Sequence, residues 1–128
     1  MLLSMLKMLI ADDHPLVRKR IVQLLTEGFP SAFFQEAEDT TSLVNGALQQ
    51  EWDIIISDLA MPGGGGMHAL QKIKEVKPAL PVLIISSYPE DQYGPRVVEA
   101  GAAAFIHKDN ADNDLVLAIK RILKLNGN

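Results

Sequence analysis

Cysteine is absent from all 128 residues. That excludes a disulfide framework, a thiolate metal centre and a thiol nucleophile, and it fits a reducing cytoplasm. A basic excess is absent too, since 12 Lys and Arg stand against 16 Asp and Glu for a net charge of −4. A domain with that balance is not expected to grip nucleic acid by itself. No apolar run is longer than a strand, so no membrane span is expected. The first eight residues hold one lysine and no cleavage-like pattern, and do not read as a signal peptide. There is no internal repeat, and the only biased tract is the glycine run at 63–66. What remains is an ordinary globular composition, 48% hydrophobic and 22% charged, in a length suited to one domain.

The chain is organised around Asp53 to Pro62. Ile54, Ile55 and Ile56 form the β-branched run of a strand buried on both faces. The run closes on Asp58, after which Pro62 and four glycines turn the chain into a loop. Earlier, Lys7 to Ala11 reads as a first buried strand that stops at Asp12-Asp13-His14-Pro15, and proline suits the first turn of a helix. Val17, Ile21, Leu24 and Leu25 share one face of that helix, which Gly28 to Pro30 ends. Ala32 to Ala37 is a weaker, edge-like strand. Thr40 or Thr41 is expected to cap a second helix carrying Leu43, Val44, Ala47 and Leu48.

Past the glycines, Met67 to Val76 is a third helix and Pro81 to Ser86 a buried strand. Glu90 to Ala100 has helical character, but Gly94-Pro95 interrupts it. Proline cannot donate its N–H, and its ring clashes with the carbonyl four residues back, at about 3 kcal/mol in a regular helix. The fourth helix is therefore expected to begin near Pro95. Ala102 to His107 is a fifth strand. The last helix runs from Asn110 or Ala111 to Leu125, with Leu115, Val116, Ile119, Ile122 and Leu123 inward.

Five alternations of strand and helix imply an open, doubly wound parallel α/β sheet covered on both faces. In such sheets the working crevice lies beyond the carboxyl ends of the strands. The polar residues at those ends are Asp12, Asp13, Asp58, Ser86, Ser87 and Lys108. Each has a plainer explanation: Asp13 as a helix cap, the serines as strand ends, Lys108 as a solvated charge. Gathered in one crevice, however, carboxylates ~4 Å apart repel by about 4 kcal/mol at an effective dielectric near 20. They need a cation, or some must become protonated. All-oxygen ligands favour Mg²⁺ over zinc, and a divalent ion beside a lysine makes a receptacle for a phosphoryl group. Asp58 is the natural nucleophile, forming an acyl phosphate, and Ser86 can donate a hydroxyl to a phosphoryl oxygen.

These residues lie in Leu-Ile-Ala-Asp-Asp-His at 9–14, Ser-Asp-Leu-Ala-Met-Pro-Gly at 57–63, Ile-Ile-Ser-Ser at 84–87 and Gly-Ala-Ala-Ala-Phe-Ile-His-Lys-Asp at 101–109. In order and spacing the set resembles the receiver domain of bacterial two-component response regulators. The resemblance implies a CheY-like, flavodoxin-like five-stranded sheet ordered 2-1-3-4-5. It implies Asp58 as phosphoacceptor from a sensor histidine kinase, and Mg²⁺ held by Asp12, Asp13, Asp58 and the Ala60 carbonyl. Ser86 would be the switch hydroxyl, Lys108 the phosphate-binding lysine, and Phe105 the aromatic whose rotamer follows phosphorylation. Asp109 stands where most receivers carry proline. With Asp13-His14-Pro15, this variation is similar to receivers that precede a LuxR/NarL-type helix-turn-helix domain.

The expected role is thus a cytoplasmic phosphorylatable signalling module controlling transcription, not a turnover enzyme. The alternative is a stand-alone receiver acting through protein contacts. An aspartate-nucleophile phosphatase would carry a second Asp where Ala60 stands. A flavin or nucleotide site would place its glycines after the first strand, where this chain is acidic. A degenerate, binding-only receiver is disfavoured because every matched chemical position is intact. His14, His68 and His107 are not spaced as a metal pair, and Trp52 reads as a packing residue. Asn126-Gly127-Asn128 suits a helix exit and linker, so the DNA-binding domain is expected to be absent from residues 1–128 and the chain to be a receiver fragment. Phosphorylation is expected to change self-association, as in a homodimer, or partner contacts through helices 1 and 5 or the face beside strand 5.

Overall fold

A computed structural model describes residues 5–125. Expectations for the first four residues and for Asn126 to Asn128 lie outside that range. The order is β1 (Lys7–Ala11), α1 (Pro15–Gly28), β2 (Phe33–Ala37), α2 (Thr40–Gln49), β3 (Ile54–Asp58), α3 (Gly65–Val76), β4 (Val82–Ser86), α4 (Glu90–Glu99), β5 (Ala104–His107) and α5 (Ala111–Ile122), with a 3₁₀ turn at Lys108–Asn110. The strands are parallel and ordered β2-β1-β3-β4-β5. β2 is the edge strand expected, and Phe33 at its start is exposed.

Alternation along the strands divides two apolar layers. Met8, Ile10, Ile54, Ile56, Leu83 and Ile85 face Ile21, Leu24 and Leu25 of α1 and Leu115 and Ile119 of α5. Leu9, Ile55, Ile84 and Phe105 face Leu43 and Ala47 of α2, Leu70 and Ile73 of α3 and Val97 of α4. Because helices cover both faces, a strand has no polar face to show, and Ile54, Ile55 and Ile56 are all completely buried. Full burial of such a side chain contributes roughly 1.5–3 kcal/mol, which anchors β3 and the equally buried β4 beside it.

Several local expectations are corrected. α4 runs through Gly94-Pro95 rather than starting there: its N-cap is Pro89, and the N–H of Tyr93 already reaches the Pro89 carbonyl at 3.0 Å. Asp91 and Pro95 are both exposed while Gly94 and Val97 are buried. The carbonyl that loses its proline partner therefore faces water, and the ring sits on the outer side, so the interruption costs less than in a buried helix. α2 is capped by Asp39, not by Thr40 or Thr41. The Asp39 carboxylate accepts from the Ser42 N–H at 2.8 Å, and Ser42 completes a capping box. α3 starts two residues earlier than expected, at Gly65. α5 ends at Ile122 instead of Leu125, with Lys124 in the left-handed region at φ 59°.

Candidate functional site

Chain order and sheet order together build the site. β1 and β2 lie to one side of the switch in strand order and β3, β4 and β5 to the other, so the ends of β1 and β3 border the crevice. Asp12 follows β1, Asp58 is the last residue of β3, Ser86 is the last of β4, and Lys108 opens the turn after β5. Asp12, Asp58 and Ser86 are almost wholly buried. Lys108 crosses from the far side to place Nζ 3.0 Å from Asp12 Oδ2 and 3.2 Å from Asp58 Oδ2. It donates a hydrogen bond to Asp58. Its contact with Asp12 is close enough to pair by charge but is not directed as a hydrogen bond.

Burial, and next the charge of Asp12, push the Asp58 carboxyl above its ordinary range, against the opposing pull of Lys108. Burial alone would lower the Lys108 ammonium. The adjoining Asp12 carboxylate and the charge of Asp58 outweigh it and hold the ammonium above its usual value. Three carboxylates against one ammonium leave two formal negative charges. Asp12 Oδ2 and Asp13 Oδ1 are shielded from water without a directed hydrogen bond, and ligand atoms of Asp12, Asp13, His14 and Asp58 all lie within 4.8 Å of one another. Carboxylate oxygens that lack a directed hydrogen bond, in a cluster with that residual charge, fit a hard divalent cation.

The sequence-derived residues do not all converge. Asp12, Asp13, Asp58 and Lys108 do. The Ala60 N–H points back to Asp58 Oδ1 at 3.4 Å, which keeps the loop after β3 folded over the carboxylate. The Ser86 hydroxyl accepts the Tyr88 N–H at 3.0 Å. Phe105 lies apart, buried in the layer under α4, where a Cβ added to Gly94 would touch its ring base at 3.9 Å.

Several contributors escaped sequence reasoning. His14 places Nδ1 3.2 Å from Asp12 Oδ1 and 3.1 Å from Asp13 Oδ1. Arg18 donates to the Asp12 carbonyl at 2.6 Å and to Glu36 at 2.8 Å, fixing the acidic turn to α1 and β2. The Thr40 hydroxyl accepts the Gly65 N–H at 3.0 Å, tying α2 to the glycine loop. That loop is more than a flexible edge: Gly63, Gly64 and Gly65 have φ of 93°, 114° and 86°, and a Cβ on Gly66 would collide with the Asp58 carbonyl. His107 Nδ1 accepts the Asp109 N–H, so Nε2 carries the proton and donates to the Ser87 carbonyl at 3.1 Å. Of these, the glycine run and Arg18, a basic residue in the first turn of the helix that follows two aspartates, carried a legible signal.

Residues 8–120 match the response regulator receiver domain family. The chain belongs to that family. Receivers are signalling modules of response regulators, which sensor kinases phosphorylate. The chain is 38% identical over 125 residues to the glycerol metabolism activator of Pseudomonas putida, covering 97% of this chain and 56% of that protein. Among solved structures it is similar to a LuxR-family response regulator from an Aurantimonas species, with TM-score 0.87 and 30% identity over 94% of this chain and 86% of that one. It is also similar to RcsB of Salmonella enterica bound to a promoter in the presence of the phosphomimetic BeF₃⁻, with TM-score 0.80 and 28% identity over 91% of this chain and 67% of that one. The LuxR-family structure supports the LuxR/NarL-type subfamily. The chain spans about half the length of the curated relatives it matches. Among the described residues, no helix is long and apolar enough to cross a membrane.

Proposed function

We propose that Asp58 is the phosphoacceptor, and that its phosphorylation by a sensor histidine kinase switches a transcriptional output. The observation that carries this reading is a carboxylate buried at the end of a strand that is itself buried along its whole length, held by Lys108 and raised in pKa by its surroundings. An Asp58 oxygen attacks phosphorus, the bond from phosphorus to the kinase histidine nitrogen breaks, and its electron pair stays with the imidazole. The product is an acyl phosphate on Asp58. Lys108, already 3.2 Å from Asp58, then meets the phosphoryl oxygens.

Asp12, Asp13 and Asp58, with the Ala60 carbonyl, would hold Mg²⁺, and the ion when bound would offset charge on the carboxylates and on the incoming phosphoryl group. In the switch, the Ser86 hydroxyl leaves the Tyr88 N–H to donate to a phosphoryl oxygen. The β4–α4 loop follows, and Phe105 turns into the space released. Only a differential contact of this kind can shift a two-state equilibrium. This is self-modification chemistry rather than turnover.

A helix-turn-helix domain outside residues 1–128 would contact DNA. The receiver, acting in the cytoplasm, would control it through homodimerisation or partner contacts. The promoter-bound RcsB relative supports that output. Intact-mass measurement after incubation with acetyl phosphate and Mg²⁺ tests the reading. One phosphoryl group should appear on the parent and none on Asp58→Asn. Equal labelling of the two would overturn it.

A further inference from the structure

We infer that His14 turns the acidic cluster into a mixed oxygen–nitrogen site that also takes first-row transition ions, in competition with Mg²⁺. This rests on reading the cluster as a divalent-cation site.

His14 is held by its backbone, not by chance rotation. Pro15 confines the preceding residue to extended backbone, and His14 has φ −99° and ψ 108°. Its N–H is fixed by Asp12 Oδ1 at 2.8 Å. The ring therefore stands over the turn, with Nδ1 at nearly equal distance from carboxylate oxygens of Asp12 and Asp13, 3.2 and 3.1 Å. One ring nitrogen carries at most one proton, so it cannot give a full hydrogen bond to both. Asp13 Oδ1 is left without a directed hydrogen bond, and Oδ2 of the fully buried Asp12 has only the charge contact with Lys108 Nζ at 3.0 Å. A cation shared by the nitrogen and the oxygens removes that conflict. For an ion with ligands at ~2.0–2.1 Å in tetrahedral array, donor atoms lie about 3.3 Å apart, close to the 3.2 and 3.1 Å from Nδ1 to the two oxygens.

Mg²⁺ gains little from an imidazole, being a hard ion that keeps oxygen ligands and water. Zn²⁺ and its neighbours gain much more. His14 is thus a selectivity residue: the oxygens serve either class, and the nitrogen favours one. Its side chain is 64% exposed, so replacing it leaves the core untouched.

The test is calorimetric titration of the full chain with MgCl₂, MnCl₂ and ZnCl₂, in parent and His14→Phe, above the ordinary imidazole pKa of about 6.5. His14→Phe should lower Zn²⁺ affinity by about tenfold or more while changing Mg²⁺ affinity by less than about threefold. In spectra that resolve the imidazole nitrogens, sub-stoichiometric Zn²⁺ should move His14 first. Zn²⁺ affinity unchanged in His14→Phe, or a response of His68 or His107 ahead of His14, would overturn the inference. Absence of Mg²⁺ binding to the parent would sink the underlying cation-site reading instead, and would be seen in the same experiment.

Discussion

The two ends of the sheet treat charge in opposite ways. At the amino end Lys74 and Lys77 donate their hydrogen bonds to neutral carbonyls, with Glu51 a further 3.6 Å charge contact of Lys77. Lys77 Nζ donates to Ala47 and Gln50 at 2.8 and 2.6 Å, closing the end of α2. Lys74 Nζ donates to Pro78 and Leu80 at 2.8 and 2.9 Å. Asp53 accepts the Lys7 N–H at 2.7 Å, and the Trp52 indole N–H reaches the Gly46 carbonyl at 2.9 Å. At the carboxyl end two carboxylates, Asp12 and Asp58, share one ammonium beside a third, Asp13, and two shielded oxygens have no directed hydrogen bond. One end satisfies its polar groups and stabilises. The other holds unbalanced charge that a cation and a phosphoryl group can relieve, a local cost typical of functional sites.

The largest expected effect follows from removing the shared counter-charge. Lys108→Met should destabilise the metal-free protein by on the order of 3 kcal/mol, since it leaves buried carboxylates facing each other. Mg²⁺ should recover part of the loss. Because its ammonium is held above the usual value of 10.5, Lys108 contributes stability that is fully present below that value and fades as pH rises through the folded-state pKa. Denaturant titration with and without Mg²⁺ checks both statements. The counterpart at the other end is Lys77→Met. It should cost about 1–2 kcal/mol through lost hydrogen bonds to carbonyls, and Mg²⁺ should not change that figure. Equal Mg²⁺ responses in the two variants would erase the contrast between the ends. A smaller effect belongs to Thr40→Val, about 1 kcal/mol from the lost bond to Gly65, seen as faster amide exchange in the glycine loop.

Much of this architecture is legible in the residues alone. The Ile54–Ile56 run, the α1 face of Val17, Ile21 and Leu24, and the rule that gathers strand ends together lead to the sheet and to the cluster of Asp12, Asp58 and Lys108. Illegible features depend on which way a residue faces. Asp39 and Thr40 are both good caps. Thr40 is excluded from that role because its hydroxyl is buried against Gly65, a contact 25 residues away. Pro95 breaks a helix in general but not here, where it and Asp91 share the outer side. His14 joins the carboxylates through a local turn that its spacing from other histidines does not reveal.

The central claim is that Asp58 is destabilising until a cation or phosphoryl group engages it, and one thermal-unfolding experiment tests it directly. A carboxyl whose folded pKa lies above its unfolded value of about 3.8 is bound to its proton more strongly in the folded state. Stability from Asp58 therefore falls as pH rises from that value through the raised folded pKa, and stays lower above it. Asp58→Asn is nearly isosteric and removes the charge. At neutral pH with a chelator, it should melt above the parent, and the difference should vanish below the unfolded pKa. With saturating Mg²⁺ the parent should gain stability and the variant should gain much less. An Asp58→Asn protein that melts below the parent without metal, or that gains as much from Mg²⁺, would contradict the account.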